Sequence, residues 1–340
     1  MSVSEDLQAT IADMVDGRRG ILAADESSGT IAKRFDTIGV ESTEENRRFY
    51  RSALLSTEGL GDYVSGVILF EETLGQTDDS GTPLPKVSAA QGIVPGIKVD
   101  KGKGPLPGAP GDMITYGLDG LAERLDSYRE LGARFAKWRE VYPVSPTNPT
   151  PLGLTANAEM LARYAAVCQS CGVVPIVEPE VLIDGDHSIE RSAQVNEHVW
   201  QKVFDALHRH GVQLEFMILK PSMATPGKAC AKAPPEQVAE YTMRCLRRAV
   251  PAAVPSINFL SGGQGPEEAT ANLNALNQLW QAPWQLSFSF GRALQEPALA
   301  AWAGESANGP AAQKALLQRA HLNHLAMLGE YDESLEGRDD

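Results

Sequence analysis

Glu215-Phe216-Met217-Ile218-Leu219-Lys220-Pro221 is the stretch on which the reading of this chain turns. A short continuous apolar run closed by proline has the length and pattern of a strand buried on both faces. One charge, Lys220, stands at its downstream end. Burying an ammonium group is costly, and burial in general favours the neutral amine. A neutral amine at the edge of a cavity is a nucleophile for ketones and aldehydes. Taken alone, the same pattern also describes a lysine whose stem follows apolar surface while its head stays in water. The remainder of the chain separates the two.

Seven further runs share this form: Gly20–Ser27, Ser65–Thr73, Pro95–Asp100, Arg134–Tyr142, Val173–Glu180, Ser256–Gly263 and Gln285–Arg292. Helical patterns fall between them, including Leu118–Leu131, Thr155–Cys171, Ile189–His210, Pro235–Ala249 and Pro266–Leu279. Strands alternating with helices imply an α/β fold with a parallel sheet. Eight such units in 340 residues imply a closed (β/α)8 TIM barrel, with its site at the C-terminal ends of the strands. Residues 1–331 are therefore expected to form a single barrel domain. It has a helix before the first strand and another after the last, from about Ala311 to Leu328. Residues 332–340 are expected to be a disordered polar tail. Gly75–Gly92, Lys101–Gly117 and Pro143–Pro151 read as loops from their glycine and proline content.

A net charge of −14 argues against nucleic acid or an anionic membrane surface as partner. No apolar run approaches the ~18 residues of a membrane span, and the acidic start is unlike a signal peptide, so a cytoplasmic location is expected. Cys168 and Cys171 form a C-x-x-C inside a helical pattern. With only Cys230 and Cys245 besides, and no second C-x-x-C or histidine pair, no metal site is expected.

Strand side chains alternate faces. Asp25 therefore points with Ile21 and Ala23, Lys98 with Gly96, and Lys137 with Phe135. Likewise Glu178 points with Val174 and Ile176, and Lys220 with Phe216 and Ile218. Five charges on five otherwise apolar faces suggest one polar cluster at one mouth of the barrel, because buried charges persist only when paired or functional. Glu180 shares the face of Glu178, and such a carboxylate pair can divide into an acid and a base. On the last two strands, Ser261-Gly262-Gly263 leads into a helix near Pro266, and Ser287, Ser289 and Gly291 share a face beside Arg292. Small residues, exposed backbone N–H groups and a guanidinium in this position suit a phosphate.

These residues lie in motifs that closely resemble class I fructose-1,6-bisphosphate aldolases, from about Asp16 to Tyr331. The motifs are GILAADESSGTIAKRF (Gly20–Phe35), TEENRRFYR (Thr43–Arg51), GVILFEET (Gly66–Thr73), GIKVDKG (Gly96–Gly102), FAKWR (Phe135–Arg139), IVEPE (Ile176–Glu180), LKPSM (Leu219–Met223), FLSGGQ (Phe259–Gln264) and SFGRAL (Ser289–Leu294). The resemblance implies a metal-independent lyase of glycolysis and gluconeogenesis that needs no cofactor, takes a phosphosugar substrate and assembles as a homotetramer. It implies Lys220 as the Schiff-base lysine, Glu178 as its acid/base with Glu180 beside it, and Asp25 assisting C–C cleavage. Lys98, Lys137 and Arg139 would line the site. Ser261, Gly262, Gly263, Ser289, Gly291 and Arg292 would hold the phosphate of the ketone half. Thr30, helped by Arg34, would stand near the other phosphate.

Animal members of this family end in a tail whose terminal tyrosine exchanges a proton at C3. No residue here matches it, so the enamine is expected to take its proton from water or a group already in the site. The competing expectation is an inactive barrel retained as a binding or scaffold protein. Other Schiff-base aldolases place their lysine on other strands and lack two phosphate sites.

Overall fold

The computed structural model describes residues 2–279 and 281–337. Eight of the described strands are parallel and close into a barrel. They are β1 (Gly20–Ala24), β2 (Val64–Leu69), β3 (Val94–Lys98), β6 (Phe135–Tyr142), β7 (Val174–Val181), β8 (Ile218–Leu219), β9 (Ser256–Phe259) and β10 (Gln285–Phe290). Neighbours around the ring follow chain order, and β10 closes on β1 with Ile21 opposite Ser289. The (β/α)8 expectation is met. Strands β4 (Lys103–Pro105) and β5 (Met113–Thr115) form a separate antiparallel ribbon after β3.

Several local expectations change. The ribbon lies in the segment read as loop, and Gly75–Gly92 contains the short helix Leu84–Ala89. The run that opened the reading supplies only a two-residue strand, because Leu214–Phe216 turns as a 3-10 helix and Pro221 has no N–H to donate. Lys220 still extends the ladder by one bond, its N–H donating to the Val177 carbonyl at 2.8 Å. The Pro143–Pro151 loop ends one residue early, where Thr150 caps the helix Pro151–Ser170 and proline takes its first position.

Apolar side chains pack in two layers. Inside the barrel, Ile21, Ile68, Val94, Phe135, Val174, Ile176 and Ile218 pack together, and Leu7 and Met14 of the helix Val3–Val15 close the N-terminal end. Gly96 is required here, since a Cβ on it would stand 2.2 Å from the Phe135 ring. Outside, helices lay one apolar face on the sheet. In Pro235–Ala249 the buried Val238, Ala239, Thr242, Met243, Cys245 and Leu246 recur at helical spacing.

The chain after Tyr331 is ordered as far as Gly337, where a disordered tail was expected. Glu333–Leu335 form a 3-10 turn, and Glu336 pairs with the buried Arg319 at 2.8 Å while accepting from the Tyr331 hydroxyl at 2.7 Å. A buried cation waiting for a tail carboxylate is invisible in tail composition. Residues 338–340 lie outside the described residues.

Candidate active site

The barrel's C-terminal mouth gathers the charges that strand alternation pointed inward. Lys137 Nζ lies 2.6 Å from Asp25 Oδ2 and 3.0 Å from Glu178 Oε2, and Lys220 Nζ lies 3.1 Å from Glu178 Oε1. Lys137, Glu178 and Lys220 are each 4% exposed. Burial works against every one of these charges, and the neighbours decide the outcome. Burial alone would push Asp25 up, but Lys137 and Lys220 hold it well below the usual carboxylate range. Burial likewise opposes ionised Glu178, yet Lys137, Lys220 and Arg139 pull its pKa down. Burial would lower Lys137, and Asp25 with Glu178 raise it instead. Removing one member of such a buried ion cluster costs about 3–5 kcal/mol, because its partner stays buried and unpaired. The Glu178 Oε2 contact with Lys137 is an ion pair without hydrogen-bond alignment, which leaves that oxygen free to accept from a substrate hydroxyl.

Beyond this centre, Lys98 pairs with Asp100 at 2.5 Å and Arg139 pairs with Glu180 at 2.8 Å. Glu180 is thus engaged at the rim of the cavity that Glu178 also lines. Its alternation is as expected, but Arg139 is the cation it meets.

The opposite wall is built of backbone and small residues. Gly262 and Gly263 have φ of +48° and +86°, and a Cβ on Gly263 would come within 2.3 Å of Ile183 Cδ1. Successive left-handed glycines of this kind turn backbone N–H groups into an anion-binding concavity. Arg292 Nη2 donates to the Gly263 carbonyl at 2.5 Å and ties the loop to the helix Arg292–Trp302. Ser289 is 1% exposed and its hydroxyl has no hydrogen-bond partner, although it lines the cavity. An orphaned buried hydroxyl there is ready for a ligand oxygen. Arg34 pairs with Glu26, and its guanidinium lies 3.5 Å from where a Cβ on Gly291 would stand. That places Arg34 beside the glycine and serine wall, where the sequence suggested a separate phosphate. The Thr30 hydroxyl sits 3.1 Å from that of Ser27.

The candidates named from the sequence, from Asp25 and Thr30 to Gly291 and Arg292, line one cavity of about 1070 Å³, except Ser287, which is fully buried with its hydroxyl donating to the Arg19 carbonyl at 3.2 Å. Glu26, Lys33, Asp100, Lys103 and Gln295 line it too and were not singled out. Glu26 stood in the open beside Asp25, but alternation turned attention away from it. Gln295 gave no signal, since its role comes from donating to the Ala23 carbonyl at 2.6 Å and to Glu26 at 2.8 Å across the barrel closure. Among the described residues, no three histidine, cysteine, aspartate or glutamate side chains come together as a metal site.

The family profile described as glycolytic class-I fructose-bisphosphate aldolase matches residues 6–340. Fructose-bisphosphate aldolase 1 of Toxoplasma gondii is 55% identical over 316 residues, 92% of this chain and 87% of that protein. The cytoplasmic isozyme of fructose-bisphosphate aldolase from Spinacia oleracea is 53% identical over 320 residues, 94% of this chain and 90% of its own length. Among solved structures, Plasmodium falciparum fructose-bisphosphate aldolase, crystallised with TRAP and a small-molecule inhibitor, superposes with a TM-score of 0.96 at 50% identity. That match covers 98% of this chain and 96% of the other. A closed barrel, a lysine–carboxylate cluster at its mouth and these near full-length similarities lead to one conclusion: the chain belongs to the class I fructose-bisphosphate aldolase family.

Proposed function

We propose that this enzyme reversibly cleaves fructose 1,6-bisphosphate to dihydroxyacetone phosphate and glyceraldehyde 3-phosphate through a Schiff base on Lys220. The observation that carries the reading is the position of Lys220 Nζ, 3.1 Å from Glu178 Oε1 at the buried mouth of the barrel. Glu178 takes a proton from the Lys220 ammonium, the freed amine attacks the C2 ketone, and Glu178 returns that proton to the departing hydroxyl, so that water leaves and an iminium forms. The iminium then accepts the electron pair of the C3–C4 bond as the C4 hydroxyl passes its proton to Asp25. Lys137, between Asp25 and Glu178, keeps both carboxylates placed and ionised. Glyceraldehyde 3-phosphate leaves. The enamine is protonated at C3, from water or a group within the cavity, and hydrolysis frees dihydroxyacetone phosphate and Lys220. Ser261, Gly262, Gly263, Ser289, Gly291 and Arg292, with Arg34 beside Gly291, hold the phosphate of the ketone half, while Thr30, Lys98 and Arg139 serve the rest of the substrate.

The enzyme works in the cytoplasm as a homotetramer, with residues 1–331 folded as one domain. The spinach relative, named a cytoplasmic isozyme, supports the location. No described helix is long and apolar enough to cross a membrane. Sedimentation tests the tetramer.

Borohydride reduction in the presence of dihydroxyacetone phosphate tests the chemistry. A stable adduct mapped to Lys220, with cleavage that persists in EDTA, is the expected result. Cleavage without an adduct, or cleavage abolished by chelation, refutes the Schiff-base route. Neither cleavage nor adduct leaves the inactive barrel as the answer.

A further inference from the structure

In the ring order β1-β10-β9-β8-β7-β6-β3-β2, the seam between β6 and β3 lies directly across the barrel from the seam between β9 and β10. A substrate anchored by one phosphate at the glycine and serine wall of β9 and β10 runs over Lys220 and Glu178. Its far end then meets the β6/β3 side. Three cations there are already paired: Lys98 with Asp100, Arg139 with Glu180, and Lys101 with Glu71 at 2.5 Å. Lys103 lines the same cavity, and among the described residues no carboxylate lies within ion-pair distance of it. Desolvation and the neighbouring Arg139 lower its pKa, against the pull of Glu180, Asp184 and Glu140. Its ammonium is therefore inside the electrostatic field of the site without a direct partner, and an arriving anion would supply one.

The segment carrying Lys103 is fixed. Lys103 stands opposite Thr115 in the β4–β5 ribbon. The Thr115 N–H donates to Glu140 Oε2 at 3.2 Å, and its hydroxyl donates to the Arg139 carbonyl at 2.8 Å. Glu140 is fully buried on β6, and its other oxygen accepts from Trp138 Nε1 at 2.9 Å. At the other end of the ribbon, Asp112 accepts from Asn148 Nδ2 and from the Thr150 N–H, both at 2.9 Å.

We propose that Lys103 is a specificity-determining residue, held over the cavity by the Glu140-docked ribbon, that selects sugar phosphates carrying a second phosphate on the aldehyde half. The inference rests on the proposed cleavage reaction. In Lys103→Met, the ratio of kcat/KM for fructose 1,6-bisphosphate to that for fructose 1-phosphate falls about tenfold, the loss expected for one charge-assisted contact, and the fall resides in KM. Lys103→Arg restores most of the ratio. Glu140→Ala, a positioning change, lowers the same ratio, and adding Lys103→Met to it lowers the ratio little further. Calorimetric affinities for the unreactive hexitol 1,6-bisphosphate and hexitol 1-phosphate read the same ratio without turnover. An absent cleavage reaction therefore overturns the proposed function. An affinity ratio unmoved in Lys103→Met, or both affinities weakened equally, overturns the role of Lys103.

Discussion

The lower and upper halves of the barrel interior are lined by the same strands and could hardly differ more. Phe135 gives way to Lys137, Ile176 to Glu178 and Ile218 to Lys220, each within two residues along one strand face. In the lower half, side chains gain by excluding water from one another, and the helix Val3–Val15 completes the seal with Leu7 and Met14. In the upper half each charge is costly to bury, and the arrangement persists because Lys98, Lys137, Arg139 and Lys220 each touch a carboxylate. The lower half supplies rigidity, and the upper half spends it on holding reactive groups at fixed distances.

Substitutions in the two halves should therefore have different signatures. The largest effect on chemistry is expected from Glu178→Gln, which removes the proposed acid/base beside Lys220. Its kcat should fall by about 10²–10⁴, the usual worth of a positioned proton donor. Single-turnover rates and the rate of adduct trapping measure this, and a loss below about tenfold would remove Glu178 from the mechanism. Phe135→Ala should do the opposite. It empties the packed floor and costs about 3–5 kcal/mol in urea unfolding. The kcat of the folded fraction should stay close to that of the parent chain, and a large drop in kcat would mean the two halves are not separable.

A third substitution probes the outer face of β6. Burial pushes Glu140 from 4.5 up to about 7, against the pull of its hydrogen bonds from Trp138 and Thr115. For an acid raised in the folded state, the associated stability is complete below the unfolded pKa and is lost as pH rises through the folded value. The loss amounts to about 3 kcal/mol between pH ~4.5 and pH ~8. Glu140→Gln should flatten that decline, which chemical denaturation at several pH values will show. An unchanged slope would mean that Glu140 titrates where an exposed glutamate does.

Much of this was legible because strand alternation is a strong rule. It put Asp25, Lys137, Glu178 and Lys220 on the inner face before any distance was known, and those are the four that meet. It put Glu180 on the cavity side as well, but direction along a strand does not reveal that Arg139 is the cation waiting for it at the rim. The β4–β5 ribbon was illegible for a different reason. Its glycines and prolines give no alternation, and its pairing is held by Glu140 and Asp112, which belong to contacts far along the chain. Residues 332–337 were illegible for another reason: Glu336 pairs with Arg319 on the helix just before them, and the burial of that cation is not written in the composition of the tail.

The four-residue cluster of Asp25, Lys137, Glu178 and Lys220 has one further consequence. An ammonium and the iminium that replaces it each carry a single positive charge, so the proposed covalent step leaves the sum of charge at the mouth unaltered. The dipoles and ions around Lys220 need no rearrangement to accommodate the intermediate. The resting site is thus already an electrostatic mould of the proposed adduct.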